Sequence, residues 1–198
     1  MTQATARFRT LEEYLAYDDG TDTRYELVNG VLVEMSPESR LNRQIASFLF
    51  GAFVRLGLPT ELLVIGTQIT VISPEVTARQ PDFVVLSPEC AIVLEGAKSD
   101  VITAEIPAPA LVVEVVSPGD EKSDNYQRDY VEKPKEYAER RIPEFWRIDP
   151  ARSLVSVLVL KGGRYVEQVF RGSDRAISPT FPELNLTAHQ ILTAGKGG

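Results

Sequence analysis

One stretch constrains the fold of this chain more than any other: an apolar run from Pro109 to Pro118, closed by a proline at each end. Its length and its content of Val and Leu predict a strand that is buried on both faces of a sheet. A single carboxylate, Glu114, stands in the middle of the run. An uncompensated buried charge costs on the order of several kcal/mol, so a cation or hydrogen-bond donors must lie opposite Glu114.

Composition indicates one ordinary globular domain. A chain of 198 residues is long enough to bury a sizeable core. We expect a single domain over residues 1–198, with an ordered core over 10–193 and a flexible tail over 194–198. Because Cys90 is the only cysteine, no intrachain disulfide can form and a reducing compartment is favoured. The chain shows neither the pattern of a signal peptide nor an apolar run of about 20 residues, so we expect a cytoplasmic protein.

Several functional classes are poorly supported. His189 is the only histidine, which argues against a Ser-His-Asp triad, a His-rich zinc site and a Cys-His pair. The ligands of any metal would be mostly oxygen atoms, which points to Mg²⁺ or Mn²⁺. The net charge of −7 argues against broad non-specific binding to nucleic acid, although it allows a local basic patch.

Two acidic residues stand out before the central strand. Glu26 lies in a predicted β-hairpin around Asn29-Gly30, where local reasoning favours a solvated strand residue. A helix is predicted to open at 36–38 and to end at Gly57, and a strand follows over 61–72. Asp82 then stands at the start of another apolar strand, where a turn residue and a functional residue are about equally common.

Helical periodicity over residues 124–141 singles out one lysine. At 100° per residue, one narrow face carries Tyr126, Tyr130, Lys133 and Tyr137. Lys133 therefore points inward, where it either lies between tyrosines with its ammonium in water or pairs with the buried Glu on the preceding strand. The adjacent Pro134 leaves the helical phase across this point open.

The rest of the chain predicts more sheet. Residues 142–150 form a strand with Trp146 in the core, and a second hairpin turns at Gly162-Gly163. Thr187 starts a short final helix. Together these elements predict an α/β (α+β) fold in which a mixed β-sheet is flanked by helices, with β-hairpins near both ends of the chain.

The acidic residues suggest a chemistry. Two carboxylates on neighbouring strands, Asp82 and Glu114, can hold a divalent ion by oxygen ligation. Such an ion activates water and neutralises charge on a phosphate, and a lysine such as Lys133 stabilises the developing charge. This is the minimum for phosphodiester hydrolysis, although a structural Glu–Lys pair explains half of the pattern equally well.

Five segments, taken in order, resemble those of a known family. They are Tyr25–Gly30, Arg79–Asp82, Val112–Pro118, the run Arg128-Asp129-Tyr130 with Lys133 and Tyr137, and Ile142–Pro150. Pro81-Asp82 followed by a buried Glu is similar to the signature of the PD-(D/E)XK nuclease superfamily. More narrowly, the five segments together resemble the Uma-type "putative restriction endonuclease" family, from about residue 10 to the final helix.

The resemblance implies a restriction-endonuclease-like fold with an acidic site at a split in the sheet, and a Mg²⁺-dependent (or Mn²⁺-dependent) nuclease acting on DNA. It implies that Asp82, Glu114 and the main-chain carbonyl of Val115 are metal ligands, and that Glu26 completes the catalytic site. The lysine that the wider superfamily carries two residues after the Glu is replaced here by Val116. The family's lysine lies on the following helix, where this chain has Lys133.

Three hypotheses follow. The first is a metal-dependent endonuclease, which accounts for Asp82, Glu114 and Lys133 together; homodimers are common in the superfamily, so a homodimer is plausible. The second is a nuclease-like fold that serves as a binding or accessory module without catalysis. The third is a structural α/β domain in which Glu114 and Lys133 form a core pair, with Asp82 and Glu26 elsewhere.

Overall fold

The computed structural model describes residues 7–18, 20–21, 25–34, 39–73, 75–97 and 99–196. Their strands form two mixed sheets. The first sheet has the order β2-β1-β5-β4-β7. Its strands are β1 (Tyr25–Val28), β2 (Val31–Glu34), β4 (Gln68–Val71), β5 (Thr77–Arg79) and β7 (Val101–Ile102). The second sheet has the order β11-β10-β9-β8-β6-β3. Its strands are β3 (Leu63–Val64), β6 (Phe83–Val85), β8 (Leu111–Val115), β9 (Glu144–Asp149), β10 (Leu154–Lys161) and β11 (Arg164–Phe170).

Both predicted hairpins are present. Asn29 and Gly30 have φ angles of 48° and 74°, as a tight two-residue turn between β1 and β2 requires. Gly162 and Gly163, which also have positive φ angles, connect β10 to β11. The first hairpin belongs to the first sheet and the second hairpin lies at an edge of the second sheet. The predicted fold class is therefore confirmed, with two sheets where the sequence predicted one.

The central strand β8 is buried over its whole length, as its apolar sequence predicted. It pairs in parallel with β9 and antiparallel with β6. Its side chains alternate between the two faces of the sheet. Val113 packs into the cluster that includes helix α2, whereas Val112 packs beside Tyr137 of helix α5. Glu114 has the same parity as Val112 and therefore faces α5.

The described ranges contain six α-helices: α1 (Leu11–Leu15), α2 (Arg40–Arg55), α3 (Pro88–Glu95), α4 (Asp124–Tyr126), α5 (Lys133–Glu139) and α6 (Ala188–Leu192). A 3₁₀ turn spans Thr60–Leu62. Ser39 caps α2 by accepting a hydrogen bond from the Asn42 N–H. The predicted opening of this helix at 36–38 lies outside the described residues. Thr187 stands at the start of α6, as the sequence predicted, and forms a capping box with Gln190.

The helix predicted over 124–141 is not one regular helix. A π-helical segment, Gln127–Glu132, connects α4 to α5, and the Lys133 N–H bonds to the Arg128 carbonyl five residues back. Pro134 stands in the first turn of α5, where its missing N–H is tolerated. The wider turn changes the helical phase. Consequently Tyr126 and Tyr130 stack on each other, and Tyr130 packs against Asp149 and Arg147 of β9, whereas Lys133 and Tyr137 bind Glu114 of β8.

Two further differences concern the strands. The strand expected over 61–72 is divided between β3 and β4, which lie in different sheets. Strand β5 was not predicted, because Thr77–Arg79 is too short to show alternation. At the other end of the chain, the Gly195 N–H bonds to the Gln190 carbonyl, and residues 197–198 lie outside the described range. None of the helices in the described ranges is long and apolar enough to cross a membrane.

Candidate active site

The buried carboxylate of Glu114 has two direct partners. Lys133 Nζ donates to Oε2 at 2.7 Å, and the Tyr137 hydroxyl donates to Oε1 at 2.6 Å. All three side chains are buried, and Glu114 is only 4% exposed. The two donors are four residues apart, so they project from one face of α5. The pairing of Glu114 with Lys133, which helical periodicity suggested, is therefore present.

Lys133 also contacts two further carboxylates. Its Nζ lies 3.6 Å from Glu26 Oε1 and 3.4 Å from Asp129 Oδ1. Asp129 is four residues earlier on the same helical stretch, and its Oδ2 accepts a hydrogen bond from the Ser117 N–H. One ammonium thus meets three carboxylates from three elements: the first sheet, the second sheet and the helix that covers them.

Glu26 is 3% exposed, so the local interpretation of it as a solvated strand residue was wrong. Its Oε1 accepts from the Gln80 N–H at 3.2 Å, and its Oε2 lies 3.4 Å from Arg79 Nη1. Glu26 is buried because the first sheet packs against α5, where its carboxylate meets Lys133. The structure thereby brings Glu26 to Glu114 and Lys133, contrary to the third hypothesis, which leaves it elsewhere.

Asp82 lies just before β6, beside the central strand. Phe83 pairs with Val113, which places Asp82 alongside Glu114. Asp82 Oδ2 accepts a hydrogen bond from the Val115 N–H at 2.6 Å. The carbonyl of Val115 accepts a longer hydrogen bond, 3.3 Å, from Asn42 Nδ2 on α2. The carboxylate of Asp82 is therefore fixed on the backbone of the strand that carries Glu114.

The pKa values of the two buried glutamates in the cluster are shifted in opposite directions. Burial raises the pKa of Glu114, and the neighbouring carboxylates of Glu26 and Asp129 add to this, against the opposing effect of Lys133. Burial also disfavours the charged form of Glu26, but Lys133, Arg79 and the Gln80 N–H together hold its pKa below the usual value.

Lys133 keeps its charge in spite of its surroundings. Burial disfavours an ammonium, but the carboxylates of Glu114, Glu26 and Asp129 outweigh that effect and raise the pKa of Lys133 above its ordinary value. Burial, with the charge of Glu114, raises the pKa of Tyr137 well above the ordinary value, so its hydroxyl stays a donor. The cluster thus presents a permanent cation, a permanent donor and a carboxyl group, Glu114, that takes up a proton more readily than usual.

Three residues of this cluster, Tyr137, Asp129 and Arg79, were not predicted as site residues, although Tyr137 was placed on the same helical face as Lys133. Asp129 carried a signal, since it precedes Lys133 by one helical turn and such pairs meet on one face. Arg79, which binds Glu26, carried no local signal, because its partners come from distant parts of the chain. Cys90 and His189, to which the sequence gave no role, lie elsewhere, and burial raises the pKa of the Cys90 thiol to about 11.

The oxygen donors fit a hard divalent cation. The carboxylates of Asp82 and Glu114 and the carbonyl of Val115 are ligand types that Mg²⁺ and Mn²⁺ take. Each oxygen of Glu114 accepts one hydrogen bond and has two lone pairs, so ligand capacity remains. Within the described parts of the chain, no group of three or more His, Cys, Asp or Glu side chains is arranged to hold a metal ion. Mg²⁺ commonly uses only one or two carboxylates and completes its shell with water.

A comparison with known protein families gives one match. The sequence model of a family named Uma2 and described as "Putative restriction endonuclease" matches residues 11–189. The match includes Glu26, Asp82, Glu114 and Lys133. No protein with curated annotation matches the chain.

A solved structure shares the fold. It is described as "a putative nuclease belonging to DUF820 from Anabaena variabilis ATCC 29413". The two chains are 18% identical and superpose with a TM-score of 0.71 over 93% of this chain and 98% of the other. At this identity the likeness concerns the arrangement of sheets and helices.

Proposed function

Because the chain belongs to the Uma2 family of restriction-endonuclease-like proteins, we propose that it is a metal-dependent endonuclease that hydrolyses phosphodiester bonds in DNA. The proposed catalytic residues are Asp82, Glu114, Lys133 and Glu26. The proposed metal ligands are Asp82, Glu114 and the main-chain carbonyl of Val115, with Mg²⁺ or Mn²⁺ as the ion.

One observation carries this proposal. Glu114 from the second sheet, Lys133 from α5 and Glu26 from the first sheet meet at a single ammonium, 2.7 Å and 3.6 Å from the two carboxylates. A core that needed only one ion pair would not collect further buried carboxylates around it, since each costs desolvation free energy. Such concentrations of perturbed, mutually interacting groups are typical of active sites.

Each residue has a distinct part in the proposed reaction. A bound divalent ion would supply an activated water and neutralise phosphate charge. Lys133 brings a cation that stays protonated and can donate to an oxygen of the phosphate as charge develops on it. Glu114 orients that ammonium, and Tyr137 orients Glu114.

Asp82 has a positioning advantage over a flexible surface carboxylate. Its hydrogen bond to the Val115 N–H fixes it against the strand that carries Glu114. Fixed ligands lower the entropic cost of holding an ion and a substrate phosphate in one geometry. We therefore propose that Asp82 is the best-positioned of the metal ligands.

A second function is favoured by a specific observation. Both oxygens of Glu114 are engaged by Lys133 and Tyr137, and the described residues hold no ready-made cluster of three metal-binding side chains. These facts suit a nuclease fold that binds DNA without cutting it. This accessory role predicts DNA binding that is indifferent to divalent cations.

Nicking of supercoiled plasmid tests the proposal. The parent chain is expected to nick DNA with Mg²⁺ or Mn²⁺ and to stop when the ion is chelated, and Asp82→Ala is expected to lose the activity. The matched control is Asp174→Ala, since Asp174 is an exposed carboxylate that also accepts a main-chain N–H, from Arg171. Parental activity in Asp82→Ala would refute the assignment, and binding without cleavage in the parent would favour the accessory role.

The setting of the reaction is part of the proposal. A lone free cysteine suits a reducing compartment, so we place the protein in the cytoplasm. A homodimer would place one site on each strand of a duplex, and we propose this assembly. Sedimentation with and without duplex DNA tests the assembly.

A further inference from the structure

Arg79 is the most completely buried charged side chain near Lys133, with 0% exposure at the end of β5. Its guanidinium holds Glu136 by two parallel hydrogen bonds, Nε to Oε2 and Nη2 to Oε1, both 2.8 Å. Nη2 also lies 3.0 Å from Glu132 Oε2, and Nη1 lies 3.4 Å from Glu26 Oε2. Arg79 thus binds three carboxylates and does not contact Lys133 directly among the contacts of the described residues.

Two of these carboxylates flank Lys133 in the sequence, and the third contacts it. Glu132 immediately precedes it, and Glu136 follows it by three residues on α5. Glu26 contacts Arg79 through one oxygen and Lys133 through the other. Arg79 therefore connects the first sheet to the helical turn from which Lys133 reaches Glu114. A bidentate Arg–carboxylate pair fixes direction as well as distance, which a point charge does not.

The turn that carries Lys133 needs such a restraint. The π-helical segment ends immediately before it, and the Lys133 N–H bonds five residues back to Arg128. Pro134, the next residue, provides no N–H to the helical ladder. π-helical turns are rare, and a shift of the backbone register by one residue rotates a side chain by about 100°. Such a rotation would direct Lys133 away from Glu114.

Arg79 also affects how the charge of Lys133 is shared. Lys133 Nζ is 2.7 Å from Glu114 and 3.6 Å from Glu26. Since Glu26 already has Arg79 as a buried cationic partner, it competes less for the ammonium. Without Arg79, Lys133 would be the main cation for both glutamates, and the short contact to Glu114 would weaken.

From these contacts we infer that Arg79 is a positioning residue: its guanidinium fixes the turn Glu132–Glu136 against Glu26 and thereby keeps Lys133 directed at Glu114. The part of this inference that concerns activity depends on the proposed nuclease function. The part that concerns the placement of Lys133 does not.

The test measures the accessibility of Lys133 and the cleavage kinetics on the full chain. The rate of acetylation of Lys133 by an amine-reactive acetyl ester is followed by mass spectrometry, with the exposed Lys135 as internal reference. In Arg79→Met, Lys133 is expected to react about tenfold faster or more, because its turn opens locally. Nicking is expected to fall about 100-fold in kcat with little change in KM, since a displacement of about 1 Å is enough for such a loss. Arg79→Lys, which keeps the charge but not the bidentate geometry, is expected to lie between.

A matched control separates positioning from general destabilisation. Arg140 is also a buried arginine, but it binds the carbonyls of Thr103 and Ile106. Arg140→Met is expected to leave Lys133 acetylation at the parental rate. The inference is overturned if folded Arg79→Met shows parental Lys133 acetylation, or if Arg140→Met exposes Lys133 equally.

A second variant covers the case in which Arg79→Met does not fold, and acetylation covers the case in which the parent does not nick DNA. If Arg79→Met does not fold, Glu136→Gln removes the bidentate partner while Glu26 and Glu132 still hold the guanidinium; Lys133 exposure is expected to rise there too, and a parental rate overturns the inference. If the parent itself does not nick DNA, the proposed function fails, while acetylation of Lys133 still decides the role of Arg79.

Discussion

Two buried glutamates lie on neighbouring strands of the second sheet, and they are stabilised in different ways. Glu144, at the start of β9, is 0% exposed and accepts hydrogen bonds from three neutral donors. These donors are Trp146 Nε1, Ser178 Oγ and the Thr180 N–H, at 2.6 to 2.9 Å. Glu114, on the adjacent β8, depends instead on a lysine and a phenol, and two further carboxylates share that lysine.

The difference separates a structural carboxylate from a candidate functional one. Neutral donors satisfy Glu144 locally and tie β9 to the segment around Ser178, with no ion pair among the described contacts. Around Glu114, like charges are held together at a desolvation cost that a purely structural site avoids. Replacing the two glutamates one at a time should therefore give opposite effects on activity and stability.

The largest expected effect is the loss of activity in Glu114→Gln. Nicking should fall by about 100-fold or more, because the change removes a proposed metal ligand and the carboxylate that directs Lys133. Glu144→Gln is the matched control: it should lower the free energy of unfolding by about 1–3 kcal/mol, because a buried hydrogen-bond network loses acceptors, while the folded fraction nicks DNA normally. Plasmid assays and urea titrations measure both. A Glu114→Gln protein that nicks at the parental rate would remove the distinction.

Next in size is the loss of stability in Lys133→Met. This change leaves Glu26, Glu114 and Asp129 without their shared cation, so we expect the free energy of unfolding at pH 7 to fall by about 3–5 kcal/mol. The exposed neighbour provides the control, since Lys135→Met should change stability by about 0.5 kcal/mol or less. Equal effects of the two substitutions in urea unfolding would show that the Lys133 cluster contributes no special stability.

A smaller effect concerns pH. The pKa of Glu114 is raised above 4.5 in the fold, so the folded state binds the extra proton and the parent loses stability as pH rises from 4.5 through the raised pKa. Glu114→Gln has no such carboxyl group. As pH rises through this range, its free energy of unfolding relative to that of the parent should therefore increase by about 1.4 kcal/mol for each unit by which the pKa of Glu114 is raised. Urea unfolding at several pH values measures this difference.

The contribution of Glu26 to stability depends on pH in the opposite way. Its pKa is lowered, so its contribution to stability is present above pH 4.5 and is lost as pH falls through the lowered value. The free energy of unfolding of Glu26→Gln should therefore fall least below that of the parent at the lowest pH values. If the stabilities of both variants show the same pH dependence relative to the parent, the claim that the pKa values of Glu114 and Glu26 shift in opposite directions is wrong.

The sequence predicted the centre of the site better than its surroundings. The apolar run around Glu114 indicated a buried strand, and helical spacing gave Lys133 as a candidate partner for its carboxylate. Both inferences depend on local periodicity, which short segments report directly. The burial of Glu26 could not be inferred locally, because it depends on how the first sheet packs against α5.

Long-range contacts account for the other gaps. Arg79 meets Glu132 and Glu136 more than fifty residues later in the chain, and no pattern around Arg79 indicates them. Pro134 was an obstacle to a regular helix, and the π-helical segment before it explains how Lys133 still faces inward. Regular 100° spacing places Tyr130 beside Lys133, whereas Tyr130 in fact binds Asp149 and stacks under Arg147.

Anomalous diffraction from crystals soaked in Mn²⁺ tests the central claim most directly, because it shows what meets Glu114 when a metal is supplied. We predict an anomalous peak about 2.1–2.3 Å from carboxylate oxygens of both Asp82 and Glu114, with Lys133 still beside Glu114. Density that leaves Glu114 bound only to Lys133 and Tyr137 at saturating Mn²⁺, with no peak near Asp82, would contradict the assignment of this cluster as a metal-dependent nuclease site.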